Sequence, residues 1–138
     1  MTWFADDTPL DYFPGGNKGL LIAVGWLEGG HPFDIGEVDR HVYERLAILL
    51  RDPFQPFVSG GAHACSICVF EAEAKGSANL FVPAGKVVYV CPDLILHYMN
   101  AHRYRPPSAF CEAVLACPDT RSMEYKRALV ATGVMKAT

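Results

Sequence analysis

Two cysteines and two histidines in the middle of the chain restrict its fold more than any other feature. Cys65 and Cys68, in HACSIC, are separated by two residues, and His97 and His102, in DLILHYMNAHRYRPP, by four. Zinc prefers four ligands in a tetrahedron and accepts thiolate and imidazole together. A two-residue spacing lets one short turn aim both sulfurs at a single centre, and the histidine spacing lies within the range that zinc sites use. If one ion joins the two pairs, the 28 residues between Cys68 and His97 must leave the cysteine knuckle and return to it. That is longer than a short finger and suits a small sheet followed by a helix.

The intervening sequence supplies such a path. CVFEAE (Cys68 to Glu73), ANLFVPA (Ala78 to Ala84) and KVVYVC (Lys86 to Cys91) read as three short strands joined by turns at AKGS and AG, an antiparallel meander. Three strands end at the far end of the sheet from the knuckle. Asp93 then reads as the N-cap of a helix over residues 94–102. A helix of about ten residues rises ~15 Å, comparable to one strand, so it can carry the histidines back to the sulfurs. Five positions apart, the two rings stand ~140° apart around an ideal helix, which places His102 in a tightened or frayed last turn. Pro106 and Pro107 disfavour helix just beyond it. Two thiolates and two neutral imidazoles cancel the charge of a divalent ion, so the site can be buried.

Other readings of these residues exist. Cys65 and Cys68 can serve as small apolar side chains, or as a dithiol redox pair, although no βαβ context surrounds them. His63, beside the knuckle, can replace His102 or donate to a sulfur from outside the ligand set. Cys91 is a weaker substitute, and Cys111 and Cys117 read as core. Four available ligands favour a closed, structural site, since a catalytic zinc keeps a position open for water. Neither H-E-x-x-H nor H-x-E…C-x-x-C occurs. A metal-bound ββα nuclease needs a histidine at the strand end, and VYVCPD has none. The alternative is a zinc-dependent hydrolase with one ligand unbound and His63, Glu71 or Glu73 beside a metal-bound water. The pattern thus leans away from an enzyme.

The remaining chain reads as helices and loops, giving an α+β class in which a three-stranded antiparallel meander is flanked by helices. Glu37 to Arg51 has helical apolar spacing and ends at Pro53; further helices are expected from Pro107 or Ser108 to Cys117 and from Arg121 to Thr132, before Gly133. Thr8 to Gly19 and Asp52 to His63 read as loops, and LLIAVGWL (Leu20 to Leu27) as a buried strand. At 138 residues and 51% apolar content, one domain over residues 1–138 with a real core is expected. No apolar run reaches the ~18 residues a membrane span requires, and the acidic start lacks a secretory pattern, so a cytoplasmic location is expected. An odd count of five cysteines argues against a disulfide framework. Net charge is −5 over residues 1–60 and +2 over residues 61–138; neither half forms the dense basic face that nucleic acid demands.

Two segments look fit for binding. GWLEGGHPFDIGE (Gly25 to Glu37) gathers Trp26, His31, Phe33 and acids in a glycine-rich loop, and loops of this kind often bind. It can equally be stapled onto the core by its aromatic residues. HRYRPP (His102 to Pro107) offers Arg103, Tyr104 and Arg105 to an anionic patch on a protein partner. With WFAD near the start, VGWLEGGHPFDIGEV, GGAHACSIC and LILHYMNAHRYRPPSAFCEAV, the chain resembles a family of small uncharacterised bacterial proteins over Trp3 to Val114. In that family a G-x-H-x-C-x-x-C knuckle precedes an H-Y-x-x-x-H-x-Y-x-P-P helix. The resemblance implies that Cys65, Cys68, His97 and His102 share one site and that GHPF belongs to the architecture; it implies no reaction. The expectation is a zinc-stapled α+β binding or interaction module.

Overall fold

The computed structural model describes residues 3–9, 21–54, 63–68, 75–76 and 78–133. Its most regular piece is the hairpin of β5 (Asn79–Ala84) and β6 (Val87–Pro92), in register from Asn79↔Pro92 to Ala84↔Val87. Apolar and β-branched residues suit a pleated, covered surface. Gly85 takes φ 74° in the two-residue turn, a conformation that glycine adopts without a Cβ penalty.

The hairpin belongs to a four-stranded mixed sheet, which replaces the expected three-stranded meander; with β1 (Thr8–Pro9) and β2 (Leu21–Ala23) its order is β1-β2-β6-β5. β2 lies parallel to β6, and β1 lies antiparallel to β2. The segment read as a lone buried strand is therefore β6's second neighbour. Of the strand expected over Cys68 to Glu73, Cys68 follows no ladder and residues 69–74 lie outside the described residues, as do Phe57 and Val58. The expected AKGS turn instead contains β4 (Lys75–Gly76), paired with β3 (His63–Ala64) in a separate two-stranded ribbon. With β6 flanked on both sides, Val88, Val90 and Cys91 are fully buried. The Val90 carbonyl accepts from both the Val24 N–H, at 3.1 Å, and the Trp26 indole, at 2.9 Å, which carries the chain past the end of β2 and buries Trp26.

Helices cover the sheet. α1 (Arg40–Leu49) starts later than the periodicity suggested because Asp39 caps it, its carboxylate accepting from the His41 N–H at 2.8 Å. Its buried stripe is Val42, Leu46 and Leu49. α2 (Ile95–Ala101) and α3 (Ser108–Ala116) pack on α1, and α3 and α4 (Met123–Ala131) cover β5. The Tyr125 hydroxyl of α4 donates to the Phe81 carbonyl of that strand at 2.5 Å. The Arg45 guanidinium donates to the Cys117 carbonyl at 2.5 Å, and Arg121 pairs with Asp52, joining the C-terminal helices to α1. Gly133, at φ 83°, stops α4 as expected. Trp26, Phe81, Tyr98, Tyr104, Phe110 and Tyr125 are the bulkiest buried side chains. Burial of a Phe-sized side chain contributes roughly 1.5–3 kcal/mol. Among the described residues, no helix is long and apolar enough to cross a membrane.

Candidate metal centre

The cysteine knuckle is fixed from two sides. β3 and β4 hold its N-terminal arm, with His63 paired to Gly76 and Ala64 to Lys75. At its tip, the Ser66 hydroxyl accepts from the Gly29 N–H at 2.8 Å. Gly29 has no Cβ, and one built there would stand 2.9 Å from the Ser66 carbonyl oxygen. The GGHPF loop therefore leans directly on the turn between the cysteines. Cys65 is buried and Cys68 half-buried. The side chain of His63, and all of Glu71 and Glu73, lie outside the described residues.

Asp93 does not cap α2. The residue before the helix is Leu94, with no side-chain cap bond. The Asp93 carboxylate instead accepts from the Ala78 N–H at 3.2 Å, while its own N–H donates to the Ala78 carbonyl at 2.9 Å. Gly76 leaves the space, since a Cβ there would overlap that carboxylate. Asp93 thus ties the β4–β5 connection to the root of α2, close to both halves of the site.

α2 presents His97 from its first turn, with Ile95 and Tyr98 facing the core. The helix ends at Ala101, and His102 leaves helical geometry at φ −116°, ψ 6°. The Tyr98 carbonyl accepts from both the His102 N–H and the Tyr104 N–H, each at 3.1 Å, so the chain reverses tightly. Arg103 takes the left-handed conformation this reversal requires, at φ 56°, which is uncommon for a residue with a Cβ. The distorted last turn expected for His102 is present. It closes the angular gap between the two rings, whose centroids are 5.0 Å apart at 80°.

All four donor atoms lie within 4.8 Å of one another. Cys68 Sγ is 3.1 Å from His97 Nε2 and 3.2 Å from His102 Nε2, and Cys65 Sγ is 3.5 Å from His102 Nε2. For zinc, with bonds of about 2.3 Å to sulfur and about 2.0–2.1 Å to nitrogen, a tetrahedron separates sulfur from nitrogen by about 3.6 Å. One pair matches this spacing, and the other two reach it by opening less than 1 Å. Two sulfurs and two Nε2 atoms facing one centre form a group that could hold a metal ion. Burial, followed by the neighbouring His97, moves the His102 imidazole below its ordinary pKa and favours the neutral form that ligates a metal. Cys91 stays in the core of β6, where burial pushes its thiol far up. Cys117 is pushed up to about 11, again by burial first. Neither belongs to the cluster.

The two predicted binding segments meet beside this centre. Ile35 and Tyr104 form an antiparallel bridge; the Gly36 N–H donates to the Arg103 carbonyl at 3.0 Å and the Arg105 N–H to the Asp34 carbonyl at 2.9 Å. Tyr104 is fully buried, which corrects its reading as a surface contact. Its hydroxyl donates to Asp6 Oδ2 at 2.7 Å, the Gly25 N–H donates to Asp6 Oδ1 at 3.0 Å, and its ring meets Phe33 edge-on at 6.1 Å. Alternation of Arg103 out, Tyr104 in and Arg105 out is a strand period, a signal present in HRYRPP. Burial raises the Asp6 pKa, against the lowering by Tyr104 and Gly25. His31 is exposed and stacks on Trp3 at 4.0 Å, while Phe33 is half-buried. Asp6 is the residue that sequence reasoning missed, since a lone acid in WFADD carries no pattern.

The fold and site define an α+β chain with a Cys2His2 group able to take a metal ion. The chain belongs to the family described as a domain of unknown function (DUF7919), whose model matches residues 2–115. The matched span contains the knuckle, both histidines and the strapped loops. No curated protein and no solved structure matches the chain.

Proposed function

We propose that the chain is a zinc-stapled binding module whose metal holds a recognition surface in place and whose partner is another protein. Thiolate and imidazole donors in a tetrahedral arrangement suit zinc better than hard, oxygen-seeking cations. Bound zinc supplies a rigid cross-link among four residues. The carrying observation is the convergence of both sulfurs and both Nε2 atoms within 4.8 Å. Four donors of the right type support a closed structural site over the alternative, a zinc-dependent hydrolase with an open position.

The surroundings give the cross-link a consequence. His102 is followed by Arg103, Tyr104 and Arg105, the residues strapped to Asp34–Gly36. Fixing His102 fixes one end of this strap, and fixing the knuckle supports Gly29 on the other. A small chain gains from a metal where its core is thin. Elemental analysis of the purified protein, with thermal melting before and after chelation, tests the proposal. One zinc per chain and a large fall in Tm on chelation are expected. A Cys65→Ser protein that folds normally but loses a hydrolytic activity would point instead to the hydrolase.

A further inference from the structure

Beyond the strap the chain forms a cleft of about 460 Å³ between the Arg105–Pro107 segment, the start of α1 and the outer face of α3. Its apolar surface comes from Val38, Val42, Pro106, Pro107 and Leu115. Leu115 is 50% exposed at the mouth of the cleft. Around this surface stand the carboxylates of Asp34, Glu37, Asp39 and Glu112, against one cation among the described residues, Arg105. Among the described residues, none of these four acids forms an ion pair with a cationic side chain. The cleft is therefore apolar within and net negative at its edge.

We infer that this cleft docks a basic, partly apolar peptide segment of a partner protein, one large aliphatic or aromatic side chain entering it with Lys or Arg on either flank. The inference deepens the binding-module reading and rests on it. Charge complementarity selects the occupant: an acidic rim repels phosphate and carboxylate ligands and attracts cationic side chains. The volume lies within the ~300–1,000 Å³ of specific pockets, room for side chains rather than a folded surface. The strap links the cleft to the metal. Arg105 is three residues from His102, its N–H holds the Asp34 carbonyl, and its side chain crosses Gly36, where a Cβ would stand 3.1 Å from its Cδ.

The test is selection from a random twelve-residue peptide display library on the full, zinc-loaded chain, with Asp34→Lys/Glu112→Lys as counter-selection. Both residues are exposed, so the variant should fold, and circular dichroism and zinc content check that it does. Enriched peptides should pair Lys or Arg with Leu, Ile, Met or Phe. Their synthetic forms should bind at least about 10-fold more weakly to the double variant, and more weakly in 0.5 M than in 0.05 M salt, because screening lengths shrink to a few ångströms. Enrichment of acidic peptides, equal binding to the variant, or no enrichment overturns the inference. Zinc content and the Tm shift on chelation are read on the same sample, so the two proposals fail separately. A zinc-loaded chain that selects no basic peptide leaves the metal staple standing and removes the cleft. A chain that selects them with no zinc bound keeps the cleft and removes the staple.

Discussion

Replacing Gly25 by alanine should damage the seat of α2, and through it the metal centre. Gly25 is buried, takes φ 79°, and donates its N–H to Asp6. A left-handed backbone costs an alanine about 1–2 kcal/mol relative to glycine. The new methyl group would also stand 2.9 Å from Ile95 Cδ1 and 3.0 Å from Cγ1, about 0.6–1 Å inside the ~3.5–4.0 Å of relaxed carbon contacts. Overpacking of one carbon costs about 1–3 kcal/mol. The sum, about 2–5 kcal/mol, is a large share of a small domain's stability. Ile95 is two residues before His97, so the displacement should also weaken metal binding. Urea unfolding at pH 7.5 with saturating zinc measures the first effect, and competition with a chromophoric chelator the second. Ile95→Val removes Cδ1, the atom nearest the new methyl group. Alone it should destabilise by about 0.5–1.5 kcal/mol, but in the Gly25→Ala background it should be neutral or restorative. A loss of no more than about 1–2 kcal/mol, or strictly additive variants, would refute the packing argument and leave only backbone strain.

Three other expectations follow from the same geometry. Cys68→Ser should lower zinc affinity by at least about 100-fold, whereas Cys111→Ser, outside the donor cluster, should leave it within about 3-fold in the same chelator competition, since 1.4 kcal/mol is tenfold. Gly29→Ala should press on the Ser66 carbonyl and weaken zinc binding about 3- to 10-fold, with chelator competition as the readout, while Ser66→Ala loses a single hydrogen bond worth about 0.5–1.5 kcal/mol. Asp6 has a raised pKa because burial disfavours its charge, so the folded protein holds that proton to higher pH than the unfolded chain. Its contribution is favourable below the ordinary carboxylate pKa of 3.8 and is lost as pH rises through the raised value. The stability of Asp6→Asn relative to the wild type should accordingly rise with pH across that window, measured by urea unfolding of the metal-free protein; a flat difference would contradict the assigned shift.

The helices were legible because each carries its own period and stops: Val42, Leu46 and Leu49 face the core, and Pro53 and Gly133 follow the ends. The candidate metal centre was legible because ligand chemistry is sparse. Few arrangements place two sulfurs and two imidazoles at such spacings, and the need for a distorted turn at His102 followed from helix geometry alone. The sheet was not legible in the same way. Leu21 pairs with Val88, and a parallel neighbour so distant along the chain leaves no local trace. Two-residue strands such as β1, β3 and β4 have no periodicity to read. Asp93 misled because a capping residue and a strand-tethering residue look identical in sequence; the choice was made by Ala78, whose N–H needed an acceptor. Tyr104 misled because its arginine neighbours suggested a surface, although their alternation already gave its orientation.

The central claim is that two sulfurs and two imidazole nitrogens bind one zinc ion. X-ray absorption at the zinc edge of the purified chain measures it directly. One zinc per chain is expected, with two sulfur scatterers at about 2.3 Å and two nitrogen scatterers at about 2.0–2.1 Å. A shell dominated by oxygen, or a folded protein that takes up no zinc at micromolar concentration, would contradict it.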